Sequence, residues 1–376
     1  MKIGIMTRWW SEDNYGQLLQ CYALQKYLRD AGHDAYLIRY DPRNDYIKTP
    51  LWRKIIKAFN PVKLYKFFFN RKRKIDNMRE KQNNPRCFED FRNKRIKQSE
   101  KKYYYYEELL ENPPEADIYI VGSDQVWNTF GVSINRMTNV FKAYLLDFGN
   151  PTIKRIAYAA SFGKETLDDI SIQILSPLLK KINYISVREK TGIDICKKCG
   201  LDNVEWVPDP TMLLDDDAYR SIYKNETIRK ADKSYCFLYY LGSECDFSIQ
   251  LVYDWAKERN IEVIYVTGNS RRDTFKKMYM TIPEWIYLLE HSDYVITNSY
   301  HCSVFALLFR KKFCVIPHGG KNKSMNSRFD SLFELFQIEE RFIDLDFSVL
   351  DRDIDWQSVS ACFQRIRSTC KLLDVI

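Results

Sequence analysis

The chain has 376 residues, of which 45% are hydrophobic and 29% charged, with 13 Gly and 12 Pro. At roughly 100–200 residues per domain this length predicts two domains. The composition excludes a peptide hormone, a fibrous or disordered chain and a polytopic membrane protein. The net charge of +8 is unevenly placed: Trp52 to Lys102 carries 18 Lys or Arg against 5 Asp or Glu, an excess of +13 that leaves −5 for the rest.

The opening run KIGIMT reads as a strand and lacks the basic, apolar and small-residue succession of a secretory signal, so a cytoplasmic protein is expected. A helix follows over LLQCYALQKYLRDAG, with Leu24, Tyr27, Leu28 and Ala31 at helical spacing and Gly32 at the left-handed cap position. The strand HDAYLIRY completes a βαβ unit, which makes the two strands parallel. Residues 50–112 read as a basic helical insert, and the next regular strands are Asp117 to Gly122 and KRIAYAASFG. YISVRE, Tyr184 to Glu189, is a strand before a helix over Lys190 to Cys199.

The charged stretch Lys224 to Ser234 has no apolar period and marks a domain boundary. Beyond it strands and helices alternate again: SYCFLYYLG, a helix near Ile249 to Arg259, IEVIYVTG, a helix from Pro283 to His291, DYVITNS, a helix from Tyr300 to Arg310, and KFCVIPH. The predicted architecture is therefore α/β, with two Rossmann-like doubly wound domains, 1–228 and 229–350, facing a cleft. A last helical pattern, Val359 to Leu373 within 351–376, is expected to pack back on the first domain.

Ligands of open α/β sheets bind at the carboxyl ends of the strands, and the polar clusters lie there. In DYVITNSYHCSVFALLF the strand ends at Thr297, Asn298 and Ser299 supply capping oxygens, and His301 falls in the first helical turn. Free N–H groups and the helix dipole suit a phosphate or carboxylate, and an imidazole there binds the anion or moves a proton. Arg188 immediately follows a strand, where a guanidinium reaches an oxyanion in bidentate fashion. Lys321, Lys323 and Arg328 in HGGKNKSMNSRFDSLF suggest a closing loop over the same anion. In VGSDQVWN, Asp124, Gln125 and Asn128 beside Trp127 suit a sugar, and WWSEDNYG, with Asn14 and Tyr15, is expected to form the opposite wall.

Other patterns carry less. No G-x-G-x-x-G, G-x-x-x-x-G-K-[ST] or G-x-S-x-G occurs. Cys196 and Cys199 have zinc spacing but no second half-site, and the pairs Asp344/Asp346 and Asp351/Asp353 fit turns and caps, so no metal is expected. The ten cysteines are scattered through predicted strands and helices and read as thiols rather than disulfides. In the basic insert, Trp52, Phe59, Phe67 and Phe68 stand beside cations at near-helical spacing, which fits a helix in a membrane interface next to anionic lipid. The same charge admits nucleic-acid binding, and a solvated helical hairpin is the plain alternative.

Taken in order, NYGQLLQCYALQ, GSDQVWN, ISVRE, VPDPTMLL, TNSYHCSVFALLF and NSRFDSLFELF resemble the polysaccharide pyruvyl transferase family over most of the chain. The resemblance implies a glycosyltransferase-B-like pair of domains and transfer of the enolpyruvate-derived group of phosphoenolpyruvate to two hydroxyls of a surface-glycan sugar, without cofactor or metal. Against the family's TDSFHGT-like segment, Asn298 stands for the usual Asp and Cys302 for the usual Gly, while His301 is retained. The implied donor-binding residues are Arg188, Asn298, Ser299, Lys323 and Arg328; His301 and Asp124 would serve as acid and base. The acceptor, a sugar or lipid-linked oligosaccharide, would meet Asn14, Tyr15, Gln125, Trp127 and Asn128, and no nucleic-acid partner is expected. An enzyme at its lipid-linked acceptor would be peripheral to the inner face of the cytoplasmic membrane. The rival readings are a nucleotide-sugar glycosyltransferase of the same architecture and, further off, a nucleic-acid-binding protein.

Overall fold

The computed structural model describes the chain except residues 46–77, 80–81, 131, 229, 243–246, 269–272, 320–325, 339–340 and 344–345. The membrane-facing positions expected at Trp52, Phe59, Phe67 and Phe68 lie outside the described residues. Among the described residues no helix is long and apolar enough to cross a membrane.

Two parallel sheets carry the fold. The first has seven strands in the order β3-β2-β1-β4-β5-β6-β7, formed by β1 (Lys2–Met6), β2 (Asp34–Tyr40), β3 (Gln98–Tyr103), β4 (Ile118–Val121), β5 (Lys154–Ala160), β6 (Tyr184–Val187) and β7 (Val204–Trp206). The second has the order β11-β10-β8-β9, from β8 (Tyr235–Tyr240), β9 (Glu262–Thr267), β10 (Tyr294–Thr297) and β11 (Lys312–Val315). Helices connect the strands, which is why every pairing is parallel. The order reverses between β1 and β4 in the first sheet and between β8 and β10 in the second, and such switch points open crevices at the strands' carboxyl ends. All six residues of the central strand β8, YCFLYY, are buried, as expected of a strand covered on both faces.

The first helix, α1 (Tyr15–Asp30), is capped by Asn14, whose side chain accepts from the Gln17 amide, and ends before Gly32 at φ 86°. α2 (Phe88–Arg95) follows the basic segment, and its Arg92 donates to the carbonyls of Trp9 (3.2 Å) and Ser11 (2.8 Å), bracing the loop after β1. The expectation of one insert over 50–112 is corrected at this end, because β3 is the edge strand of the main sheet, pairing with β2. Its sequence, QSEKKY, lacks apolar alternation because an edge strand keeps charges in solvent.

One buried apolar cluster runs through both units. Tyr15 stacks on Trp285 (centroids 5.3 Å) and meets Tyr239 edge-on, while Tyr219 packs on Phe305 at 4.7 Å. The expected C-terminal helix is Trp356–Ser368, and its Arg367 donates to the Leu214 carbonyl at 2.8 Å. Tyr158 and Cys370 meet at 3.5 Å, so this segment ties the last residues to the first sheet.

Candidate active site

The carboxyl ends of β4, β6 and β7 meet the helix that follows β10. Arg188, one residue past β6, is 2% exposed, and its Nη1 donates to Asp209 Oδ2 at 2.7 Å. Asp209, three residues past β7, is fully buried. Its Oδ1 accepts from the Thr211 amide (3.0 Å) and hydroxyl (2.8 Å), and its Oδ2 accepts from the Ser123 hydroxyl at 2.8 Å. His301 Nε2 faces the same Oδ2 at 3.4 Å and lies 3.5 Å from Arg188 Nη1. An imidazole, a carboxylate and a guanidinium thus share one oxygen across the two units.

Burial alone would raise the Asp209 carboxyl, but His301, Arg188 and the Thr211 amide outweigh it and hold the group well below the usual carboxylate range. Burial likewise opposes the Arg188 charge, yet Glu189 and Asp209, with Tyr300 and Asp124, raise the guanidinium above its ordinary value. Glu189 Oε1 lies 3.4 Å from Arg188 Nε and accepts from the Ser161 hydroxyl at 2.7 Å. The Arg188 guanidinium lies 4.9 Å over the Tyr300 ring, and the Trp206 indole donates to its backbone carbonyl at 2.9 Å. After these contacts one nitrogen, Nη2, is buried without a hydrogen-bond partner. Asp124 Oδ1 lies 4.0 Å from it.

Arg328 is also buried, at 6% exposure, in the first turn of the helix Ser327–Phe336. Burial, then the charge of Arg188, lowers its guanidinium to about 10. Two buried cations close enough to disfavour one another, one of them with an idle donor, form a site matched to an anion.

The helix bearing His301 is Tyr300–Leu308, capped by the Ser299 side chain through the Cys302 amide. Its imidazole packs on the backbone of Gly16 in α1, where a Cβ would overlap the ring. Asn298 does not reach the imidazole. Its amide accepts from the Leu241 N–H and donates to the Leu241 carbonyl, both at 2.8 Å, and so clamps the second switch point. The carboxylate beside His301 is Asp209 instead.

Among the expected acceptor residues, Gln125 and Asn128 pair with each other at 2.6 Å, and Asn128 caps the Phe130 amide at 2.8 Å. Trp127, expected at a sugar wall, lies in the core: it is 1% exposed, tilts on Phe162 and donates to the Tyr144 carbonyl at 3.1 Å. Tyr15 is likewise interior, with its hydroxyl donating to the Met280 carbonyl at 2.7 Å. Asp124 is 7% exposed and left-handed at φ 62°, a conformation Asp tolerates better than most residues. Lys321 and Lys323 lie outside the described residues.

The cluster brings in Asp209, Ser123, Glu189 and His318, which lie within the quoted segments but carry no expected role there. His318 follows β11, and its Nε2 is buried without a hydrogen-bond partner. Burial and the Arg328 charge push its imidazole down to about 4, against the opposing backbone of Asn298. The available signal for Asp209 was its position, just past a strand and ahead of a Pro-Thr pair that it caps.

The fold and site together define a two-domain α/β protein that gathers two arginines, two histidines and their carboxylate partners where both sheets end. The chain belongs to the polysaccharide pyruvyl transferase family, whose model matches residues 14–320. No curated protein matches the chain in sequence. Similar solved structures include the UDP-GlcNAc 2-epimerase of Methanocaldococcus jannaschii, with 10% identity over 96% of this chain and 93% of that one at a TM-score of 0.46. The UDP-GlcNAc 2-epimerase of Neisseria meningitidis has 9% identity over 98% and 93% at 0.45. An alpha-glucosyltransferase in complex with UDP and a 13-mer DNA has 11% identity over 100% and 99% at 0.45.

Proposed function

We propose that the protein transfers the enolpyruvate-derived group of phosphoenolpyruvate to two hydroxyls of a glycan sugar, forming a ketal and releasing phosphate. The observation that carries this reading is the buried Nη2 of Arg188, which has no hydrogen-bond partner, beside the buried Arg328. Phosphoenolpyruvate places a carboxylate and a phosphate on adjacent atoms of a three-carbon unit, so it needs two fixed cations close together, and solvent-excluded cations bind such groups best.

The chemistry follows from the same residues. A proton added to the methylene carbon leaves an oxocarbenium-like centre on the carbon that bears the carboxylate and the phosphate ester. His301, held against the Asp209 carboxylate, is the proton donor, and Asp209 stabilises the imidazolium before transfer. A sugar hydroxyl attacks that centre and loses its proton to Asp124. The C–O bond to phosphate then breaks, with its electron pair and the proton held by Asp124 going to the leaving phosphate, and a second hydroxyl of the sugar closes the ketal as its proton returns to His301. Arg188 Nη2 and Arg328 hold the charge of donor and leaving group throughout. A sugar or lipid-linked oligosaccharide is the acceptor, and for a lipid-linked one the basic segment would hold the enzyme at an anionic membrane surface.

The test is phosphate release from phosphoenolpyruvate, assayed with and without a bacterial glycan acceptor. Acceptor-dependent release that falls by orders of magnitude in Arg188→Met and His301→Asn supports the reading. No release with any acceptor, together with thermal stabilisation by UDP, supports the nucleotide-sugar alternative.

A further inference from the structure

The loop after β1 holds a cation that the reaction above does not use. Arg8 is the second residue past β1, at the first switch point, and is half-buried. Its guanidinium lies 4.0 Å over the Phe130 ring and 5.5 Å over the Trp10 ring. Its Nε is buried without a hydrogen-bond partner, and among the described residues Arg8 forms no ion pair. Glu12 and Asp13 are near in sequence, yet the guanidinium is drawn instead between two aromatic rings. Stacking of this kind fixes the plane of the fork while leaving its N–H edge available to a planar anion.

The surroundings suit a saccharide. Phe130 is 50% exposed and stands at φ 50°, so it presents a large apolar surface to solvent. Its neighbour Thr129 accepts from Lys164 at 2.8 Å, and both line a largely polar hollow of about 430 Å³ with Asn135 and Asp168. An aromatic edge beside a polar furrow matches the C–H faces and hydroxyl rims of a sugar chain. The clamp is also coupled to the reaction centre: Thr7, next to Arg8, donates to the Ser123 carbonyl at 3.2 Å, and the Ser123 hydroxyl donates to Asp209.

We propose that Arg8, held between Trp10 and Phe130, recognises an anionic group on the acceptor, so that the glycan modified is a charged saccharide. This rests on the transfer reaction proposed above. The shared chemistry is a carboxylate or phosphate with two coplanar oxygens, supplied either by an acidic sugar or by a glycosyl phosphate.

The experiment measures binding to the full chain by calorimetry with four probes in two pairs: a glucuronate-containing oligosaccharide and its carboxyl-reduced product, and N-acetylglucosamine 1-phosphate and its neutral control N-acetylglucosamine. The expected result is at least one anionic probe bound tenfold or more tighter than its neutral counterpart, with that preference lost in both Arg8→Gln and Phe130→Ala. Preference for the oligosaccharide acid identifies an acidic sugar, and preference for the sugar phosphate identifies a glycosyl phosphate. Equal binding of charged and neutral probes, or a preference that persists in Arg8→Gln, overturns the proposal. Phosphoenolpyruvate binding, followed in the same variants by thermal shift, separates the two readings. Its absence from the wild type refutes the reaction, whereas its presence alongside an unchanged glycan preference refutes only the role of Arg8.

Discussion

Replacing Asp209 with Asn probes the shared oxygen at the centre of the site. The variant keeps the volume, and its amide carbonyl still accepts from the Thr211 amide and hydroxyl now bonded at 3.0 and 2.8 Å. Its NH₂ would then face Arg188 Nη1, where a 2.7 Å charge-assisted bond stands in the wild type. That bond is worth about 1.5–3 kcal/mol, and leaving a buried guanidinium short of a counter-charge brings the whole loss to about 3–5 kcal/mol. Urea denaturation at neutral pH would read this as a lower midpoint with an unchanged slope. Because the folded Asp209 carboxyl is held below its unfolded value, its stabilising contribution is complete above the unfolded pKa of about 3.9 and fades as pH falls toward the folded one. The gap between wild type and variant is therefore flat above about pH 5 and shrinks on acidification. Adding Arg188→Met removes the stranded cation, so the double variant should be more stable than the sum of the single losses predicts, by about 0.5–3 kcal/mol. A single variant within about 1 kcal/mol of wild type, or strict additivity in the double, would refute the reasoning.

Further expectations follow from other contacts. His318, pushed down to about 4 in the fold from an ordinary 6.5, binds a proton more readily when unfolded. Stability should therefore drop as pH falls through 6.5 toward 4, by about 3 kcal/mol in all, and His318→Gln should flatten that part of the stability–pH curve. Gly16→Ala sits on a helix, where Ala is normally preferred by about 0.5–1 kcal/mol, but the added methyl overlaps the His301 ring. Its turnover should fall on the order of a hundredfold with helix content retained in circular dichroism. Tyr15→Phe leaves the buried Met280 carbonyl without its 2.7 Å partner, and the thermal midpoint should fall by the equivalent of about 1–3 kcal/mol, with the stacking on Trp285 kept.

The parts of the molecule legible in the sequence are those set by local period and position. Alternating buried strands and amphipathic helices announced both sheets; Arg188 stood out because it follows a strand directly, and His301 because it falls in the first turn of the helix after one. β3 escaped because an edge strand of Lys, Glu and Gln has no apolar alternation to read. Asp209 escaped because its role arises only when the ends of β4, β6 and β7 come together and a helix of the second sheet packs across them. The polar side chain of Asn298, read as a donor contact, closes a backbone gap at Leu241. Trp127 and Tyr15 show the same ambiguity for aromatics, since a ring after a strand serves a ligand wall or the core and only packing decides. Arg8 carried no motif at all, and its two aromatic neighbours, one of them far along the chain, are joined by the fold.

The central claim, that two buried arginines wait for a compact doubly acidic donor, is tested most directly by calorimetric titration of phosphoenolpyruvate into the wild type, Arg188→Met and Arg328→Met. The account predicts saturable binding to the wild type and a loss of about tenfold or more in each variant, since a charge-assisted bond of about 1.5–3 kcal/mol disappears. Equal affinity in wild type and Arg188→Met, or heat from UDP with none from phosphoenolpyruvate, would contradict it.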